Sequence, residues 1–177
     1  ATATIRAAEQ QNRRLFGREV QIFPPPGIDE SDSFFSKEDR SAPGRLYLGI
    51  MPSGHTGQTA LVQTAAAMLQ APIETNQTEG ELDTWWTLPI YHNSRRELGK
   101  TMTLARDDIP SRIGVIAQKS GNIRECNIVE ELSANVKGAR IPEILDKLEI
   151  DVASDGVVDI LPCTNMISVG VDISRLG

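Results

Sequence analysis

The chain has 177 residues, enough for one domain of ordinary size. Apolar residues make up 40% and charged residues 24%, a balance that excludes a disordered chain, and no apolar run is long enough to span a membrane. The net charge of −6 excludes a broad phosphate-neutralising surface, so any contact with nucleic acid must be local.

Compartment and metal content follow from a few residue types. The two cysteines and two histidines are too few for a disulfide framework and do not have zinc-ligand spacing, so we expect no metal site. The arginine-containing amino terminus lacks the apolar run of a signal peptide. We therefore expect a cytoplasmic protein without a membrane partner. The absence of an initial Met and of a polar tail predicts a fragment of a longer protein.

The amino-terminal part of the sequence predicts one helix and two strands. Apolar spacing over 5–16, followed by Gly17, predicts the helix. Residues 19–23 predict a short strand that ends at a run of prolines, and the polar residues 27–43 predict an exposed loop. The near-continuous apolar run over 45–51 predicts a strand buried on both faces.

The middle of the sequence predicts a helix, a turn, a strand and a second helix. Apolar residues recur on one helical face over 57–70, and the polar residues 71–83 predict a turn. Residues 87–92 predict a strand. Ser94 then has the position of an N-cap for a helix that begins at Arg95.

The carboxyl-terminal part continues this alternation. A short helix is predicted around 110–119, a strand over 127–132, and a helix over 141–148 from its regular apolar stripe. The β-branched run 157–161 predicts a strand that ends at Pro162 and is followed by a loop. Strands that alternate with helices favour an α/β fold with a parallel sheet flanked by helices.

The loop after this last strand is rich in residues that can bind a nucleotide. Thr164, Gly170 and Asp172 lie close together, and open parallel sheets bind ligands beyond the carboxyl ends of their strands. A hydroxyl can bind phosphate, a glycine permits close approach, and a carboxylate can accept bonds from ribose. A plain loop explains the same residues, with Thr164 capping a turn, Gly170 left-handed and Asp172 solvated. Composition does not distinguish the two.

The order and spacing of these loop residues resemble motif V of superfamily 2 helicases, in which a threonine is followed six residues later by glycine, an aliphatic residue and aspartate. Thr2-Ala3-Thr4 resembles motif III, and residues 90–96, Ile-Tyr-His-Asn-Ser-Arg-Arg, resemble motif IV. The motifs occur in the family's order. The resemblance covers nearly the whole chain and implies a partial, carboxyl-terminal RecA-like lobe over 1–177, with an insertion at about 24–82.

The resemblance also implies a subfamily. The amino-acid sequence around residues 131–133, 141–145 and the motif V string is most similar to that of the large bacterial helicases of DISARM-type antiphage defence. The chain would then begin at the linker between the two lobes and stop before the motif that holds the arginine finger. Its partners would be the first RecA-like lobe of the parent chain and nucleic acid, DNA in preference to RNA, bound weakly.

Individual roles follow from the same resemblance. The threonine of motif V meets the nucleic-acid backbone in this family, and the glycine and aspartate face ATP between the lobes. Motif IV supplies phosphate contacts, and motif III couples the two ligands. These implied roles fall on Thr164 for nucleic acid, Gly170 and Asp172 for nucleotide, Asn93 and Ser94 for phosphate, and Thr2 and Thr4 for coupling.

The sequence departs from a complete helicase in three places. It contains no G-x-x-x-x-G-K-[ST] segment, no Walker B acidic pair and no Gln-x-x-Gly-Arg-x-x-Arg segment. Phosphoryl transfer needs the phosphate cradle, the magnesium ligand and the stabilising arginine together. We therefore expect no catalytic residue in this chain and no ATPase activity from it alone. ATP and magnesium would be bound by the parent protein and not stably by the fragment.

Two other interpretations remain open. Residues 49–56 have Walker A spacing with His55 in place of lysine, which would make a degenerate phosphate loop, although a mostly neutral imidazole is a poor phosphate ligand and a plain glycine-rich turn explains the segment better. A noncatalytic interaction module is the other, with Trp85, Trp86 and the acidic loop 29–39 as its surfaces.

Overall fold

A computed structural model describes residues 7–21, 23, 28–29, 31–42, 44–75, 77–164 and 173–176. The chain divides into two compact units, Ala1–Gly49 and Ile50–Gly177, here called the first and second units.

The first unit contains one helix, α1, Ala8–Phe16. Gly17 follows it at a φ of 65°, and its N–H donates to the carbonyl of Arg13, which confirms the predicted helix end. The predicted strand at 19–23 is wrong, because its described residues are irregular. A strand needs a partner for its N–H and C=O groups. In the described part of this unit, a bridge between Asp32 and Lys37 is the backbone pairing observed.

The apolar segment 45–51, which crosses the boundary between the units, does not form the predicted buried strand. Its backbone is irregular, and Leu46, Tyr47 and Met51 are 79%, 81% and 86% exposed. No other described segment pairs with it. Apolar composition alone therefore did not predict burial here, because a buried strand also requires a neighbouring strand to pair with.

The second unit alternates helices with strands. Its elements are α2 Gly57–Glu74, α3 Glu79–Thr84, β1 Leu88–Tyr91, α4 Arg95–Arg106, α5 Asp108–Ala117, a 3₁₀ turn Gly138–Arg140, α6 Ile141–Leu148 and β2 Ile160–Cys163. The helices predicted at 57–70, from 95, around 110–119 and at 141–148 are confirmed, as is the strand within 87–92.

The predicted turn over 71–83 is wrong, because helices occupy most of it. The helix α2 continues to Glu74, and α3 then begins at a capping box. The hydroxyl of Thr78 accepts from the N–H of Glu81 at 3.4 Å, and the N–H of Thr78 donates to the Glu81 carboxylate at 2.9 Å. These reciprocal bonds satisfy amide groups that a short polar helix would otherwise leave unpaired.

The sheet of the second unit is parallel, as predicted. Strand β1 pairs with β2 in a register that places Leu88 opposite Ile160 and Tyr91 opposite Cys163. Residues 128–132, here called the outer segment, lie on the other side of β2 and form parallel bridges to it. The order across the sheet is therefore β1, β2, outer segment, and the fold class is α/β.

Two differences from the predicted strands involve Pro162. It lies within β2, which continues to Cys163 instead of ending at the proline. Along the outer segment, Ile160 N donates to Ile128 O at 3.3 Å and Thr164 N donates to Leu132 O at 3.2 Å. The intervening position is Pro162, which has no N–H to donate. The predicted strand at 127–132 therefore appears as an extended segment with isolated bridges.

The strand β2 is buried throughout and packs on both of its faces. One hydrophobic cluster unites Ile160 with residues of α2, α4 and α5, namely Ala65, Ala66, Leu69, Ala105, Ile109 and Ile113. A second cluster unites Leu161 and Cys163 with Leu132, Ile144, Leu148, Val158 and Ile173. Helices on both faces of a parallel strand are the arrangement that its continuous apolar run requires.

The helix α2 lies within the predicted insertion at 24–82 and supplies three residues of the first cluster. The insertion itself stays a prediction. Across the described ranges, no helix combines the length and the apolar character needed to cross a bilayer.

Candidate nucleic-acid interface

The carboxyl ends of the strands meet at one edge of the sheet, here called the carboxyl edge. His92 N, just after β1, donates to Cys163 O at the end of β2 over 2.8 Å. Thr164 N donates to Leu132 O at the end of the outer segment over 3.2 Å. Asn93 and Ser94 directly follow β1 and Thr164 directly follows β2. The structure therefore places these three predicted site residues at the same edge.

The side chain of Ser94 begins α4. Its hydroxyl accepts a hydrogen bond from the N–H of Glu97 at 3.3 Å, which confirms the predicted N-cap. The first turn of a helix still presents unpaired N–H groups and a partial positive charge. Asn93 is exposed immediately before this turn. An anion at the carboxyl edge would thus meet the start of α4.

Exposed cations on α4 add charge at this edge. Arg95, Arg96 and Lys100 are all exposed, and within the described residues none forms an ion pair. The guanidinium of Arg95 instead donates to the side-chain oxygen of Asn135 at 3.1 Å. The motif resemblance assigns no role to these cations. The sequence did contain a signal for a basic surface, because three cations occur within the six residues 95–100 of a chain whose net charge is −6.

A polar turn after the outer segment completes the edge. Ser133 is buried, and its hydroxyl donates to the Glu131 carboxylate and accepts from the N–H of Asn135 at 3.1 Å. The amide of Asn135 also donates to Glu131, at 3.3 Å. These bonds hold the Asn135 side chain beside Arg95. The turn was missed in the sequence, where a Ser-Ala-Asn string after a predicted strand was its one signal.

His92 lies in a cleft between the start of α2 and α4. The cleft has a volume of about 560 Å³, and Tyr91, Lys100 and Thr101 are among its lining residues. The imidazole Nε2 is buried and has no hydrogen-bond partner in the described part of the chain. Burial lowers the pKa of His92, although the charge of Glu97 opposes this. A neutral imidazole can donate or accept one hydrogen bond but adds no standing charge to the edge.

The opposite edge, where the strands begin, is closed by a buried polar network. The carboxylate of Asp159 accepts from the indole of Trp86 at 3.0 Å and from the N–H groups of Asn127 and Ile128 at 2.9 Å. Arg124 lies 3.2 Å from the same carboxylate and 3.8 Å from the centre of the Trp86 ring. Most of these groups satisfy one another, although Arg124 Nε has no hydrogen-bond partner in the part of the chain that the structure describes. The network therefore joins the elements that meet at this edge.

Four predicted site residues, Thr2, Thr4, Gly170 and Asp172, lie outside the described residues. Their implied roles stay predictions. Across the described ranges, no group of three or more His, Cys, Asp or Glu side chains is placed to hold a metal ion.

The segment considered as a degenerate phosphate loop has ordinary local roles. The hydroxyl of Thr56 caps α2 by accepting from the N–H of Thr59 at 3.2 Å, and Gly54 forms a turn at a φ of 78°. A phosphate loop follows a strand, and the residues before this turn are irregular. The two tryptophans considered as an interaction surface have different environments. Trp85 is 59% exposed, whereas Trp86 packs against Arg124.

The fold and this edge define a parallel α/β domain whose polar, partly basic surface lies beyond the carboxyl ends of its strands. No protein-family model matches the chain. The chain is 40% identical, over 185 aligned positions, to the DISARM protein DrmA of Bacillus paralicheniformis. The alignment covers 100% of this chain and 16% of that relative, so the chain spans about a sixth of its length. This similarity supports the DISARM-type relationship that the sequence resemblance implied.

Proposed function

We propose that this chain is the second RecA-like lobe of an ATP-dependent helicase or translocase of DISARM-type antiphage defence. Similarity to DrmA along the whole chain supports the defence context. The observation that carries the helicase role is the parallel pairing of β1 with β2. It brings Thr164, from the string that resembles motif V, to the same edge as Asn93 and Ser94, from the string that resembles motif IV.

The proposed contact with nucleic acid is a contact with its backbone. Hydroxyl groups, the N–H groups at the start of α4 and the cations Arg95, Arg96 and Lys100 all favour phosphate oxygens. Such contacts position a strand without reading its sequence. They suit a motor that must move along a strand of any sequence. We propose DNA, in preference to RNA, as that strand.

ATP belongs between this lobe and the first RecA-like lobe in the proposal. Gly170 and Asp172 would face the nucleotide, and Thr2 and Thr4 would couple it to the nucleic acid. The phosphate cradle, the magnesium ligand and the arginine finger would come from parts of the parent protein that this sequence does not contain. In this proposal the chain contributes binding and orientation, and the parent protein contributes the hydrolytic step.

The test is a pair of ATPase titrations on the full-length protein, one in ATP and one in single-stranded DNA, with RNA run in parallel. Thr164→Val removes a hydroxyl that would bond a charged phosphate, a loss of about 1.5–3 kcal/mol. The DNA concentration for half-maximal stimulation should therefore rise roughly tenfold or more, since 1.4 kcal/mol is tenfold in binding. Basal ATPase activity should stay unchanged. Asp172→Ala should instead raise the ATP concentration required.

A matched control is Thr84→Val, which removes a hydroxyl that donates to Gly80 O within α3. It should change neither titration. The proposal fails if the full-length protein shows no ATPase activity stimulated by nucleic acid. It also fails if both site variants show the same defect in both titrations together with lost thermal stability, because the loop would then be purely structural.

A further inference from the structure

The cleft beside His92, here called the His92 cleft, has walls suited to a flat, partly apolar ligand. Its volume of about 560 Å³ lies within the range of ~300–1,000 Å³ that is typical of small-ligand sites. Leu61 on α2 and Leu104 on α4 are partly buried and line it with apolar surface. Tyr91, the last residue of β1, also lines the cleft and is 52% exposed. The cleft therefore offers an aromatic ring and aliphatic side chains to a ligand.

The polar groups inside the His92 cleft favour a neutral ligand over an isolated anion. Glu97 lines the cleft with a carboxylate, which accepts hydrogen bonds and repels negative charge. Burial lowers the pKa of His92, so its imidazole is neutral near pH 7, and its Nε2 has no hydrogen-bond partner among the described residues. A nucleobase combines flat apolar faces with an edge of hydrogen-bond donors and acceptors, so it matches both the walls and the polar groups.

Lys100 connects the His92 cleft with the cations of the carboxyl edge. It is exposed, forms no ion pair within the described ranges, and lines the cleft from α4. Asn93 and Ser94 directly follow His92 and lie at the same edge. A phosphate held by Lys100 carries its base on the adjoining sugar, so that base would lie within reach of the cleft.

We propose that the His92 cleft holds one unstacked nucleobase of a single strand whose backbone lies on the carboxyl edge, with the base stacked on Tyr91 and hydrogen-bonded to His92. The proposal rests on the proposed function for the strand as its ligand. The shape and chemistry of the cleft rest on described residues alone. Aromatic rings stack with every base, so the cleft holds a strand without reading its sequence. Backbone contacts fix the phosphates, and the cleft adds a hold on the base.

The test measures the binding of two oligonucleotides of equal length to the full-length protein without ATP. One is oligothymidylate, and the other has the same phosphates but an abasic sugar at every position. Tyr91→Ala removes the stacking ring, so the Kd for oligothymidylate should rise roughly tenfold, as expected for the loss of one base–aromatic stack. The Kd for the abasic oligonucleotide should stay unchanged. Tyr91→Phe keeps the ring and should bind both oligonucleotides as the wild type does.

The matched control is Trp85→Ala. Trp85 is 59% exposed, comparable to Tyr91, but it precedes β1, at the edge where the strands begin, here called the amino edge. The control should leave both Kd values unchanged. His92→Ala is a second site variant in case Tyr91→Ala fails to fold, and it should raise the Kd for oligothymidylate severalfold by removing one hydrogen bond. Lys100→Met removes a phosphate contact and should weaken both oligonucleotides alike.

The proposal is overturned if Tyr91→Ala weakens the binding of both oligonucleotides equally or of neither, or if Trp85→Ala reproduces its effect. Thymidine monophosphate at the concentration of oligothymidylate should not displace it, and displacement would overturn the strand as the source of the base in favour of a free nucleotide. Binding is measured without ATP. A full-length protein without ATPase activity would therefore overturn the proposed function, and the difference between the two oligonucleotides would still decide whether the cleft holds a base.

Discussion

The guanidinium of Arg124 lies 3.2 Å from the carboxylate of Asp159, and their side chains are 0% and 7% exposed. Asp159 directly precedes β2, and its backbone carbonyl accepts from Leu88 N at the start of β1 over 2.9 Å. One residue therefore joins both strands and the chain leading to the outer segment. Because Arg124 Nη2 also donates to Trp86 O at 2.6 Å, the pair holds the whole amino edge together.

Replacing Asp159 should strongly destabilise the fold. Asp159→Asn leaves the buried Arg124 without its counter-charge, and breaking a buried pair in this way costs about 3–5 kcal/mol. Urea denaturation of the wild type and the variant measures the difference. The matched control is Asp32→Asn, which removes one partner of an ion pair whose side chains are 76% and 56% exposed. The control should lose about 0–1 kcal/mol, and equal losses in the two variants would contradict the prediction.

Both cysteine thiols should be unreactive in the folded chain. Burial raises the pKa of Cys126 to about 11 and that of Cys163 to about 11. At pH 8 a thiol of this pKa is a thiolate in only about one molecule per thousand, and the thiolate is the reactive form. A colorimetric thiol reagent should therefore modify neither cysteine until urea unfolds the chain. Rapid modification under native conditions would show that one of the two is accessible.

The chain by itself should show no magnesium-dependent ATPase activity, because it lacks the phosphate cradle, the Walker B acids and the arginine finger. A phosphate-release assay at millimolar ATP measures this. Turnover that disappears in His55→Ala or Thr56→Ala would contradict the prediction and would favour the degenerate phosphate loop at residues 49–56.

Binding of single-stranded DNA by the chain alone should be weak, with a Kd of ~10⁻⁵ M or above near physiological salt, because a chain of net charge −6 has few cations for counterion release. Lys100→Met should reduce the slope of log K against log salt by about one, the effect of one lost phosphate contact. The control Lys119→Met removes an exposed cation that follows α5, away from the carboxyl edge. Nanomolar affinity, or the same change of slope in both variants, would argue against the proposed surface.

The contribution of Asp83 to stability should disappear in acid. Its hydrogen bond from Arg175 and that from Val152 N lower the pKa of Asp83 below its ordinary value, although burial opposes them. A carboxyl group with a lowered pKa stabilises the fold fully above its unfolded pKa of about 3.9, and this contribution is lost as the pH falls through the lower, folded value. The stability difference between wild type and Asp83→Asn should therefore be constant from pH 7 to about 5 and shrink below about 4. A difference that stays constant down to pH 2 would contradict this prediction.

Local signals in the sequence predicted local structure well. The helix α6 follows from an apolar stripe at helical spacing with a proline in its first turn, and α4 follows from Ser94 as its cap. The parallel sheet follows from the alternation of strands and helices. For the site, the strings at 93–94 and 163–164 were recognisable because each directly follows a predicted strand.

Features that depend on distant partners could not be predicted. The segment 45–51 has the composition of a buried strand, but no other described segment pairs with it. Arg175 pairs with Asp83, which is far away in the sequence, and Asp159 pairs with Arg124 and Trp86. Strand composition and charge can be read from neighbours along the chain, whereas pairing depends on which residues the fold brings together.

The position of β2 between β1 and the outer segment has a consequence for how the protein is made. Among the described strands of the second unit, β2 comes last in chain order, so it leaves the ribosome after β1, the outer segment and α6. Until Ile160–Cys163 emerge, β1 and the outer segment have no strand to pair with, and the apolar faces of α2 and α5 have no sheet to cover. Non-local pairing of this kind is slow and leaves apolar surface open to aggregation. A ribosome that pauses shortly before β2 would leave the apolar faces of α2 and α5 uncovered, and the emergence of Ile160–Cys163 then joins β1 to the outer segment.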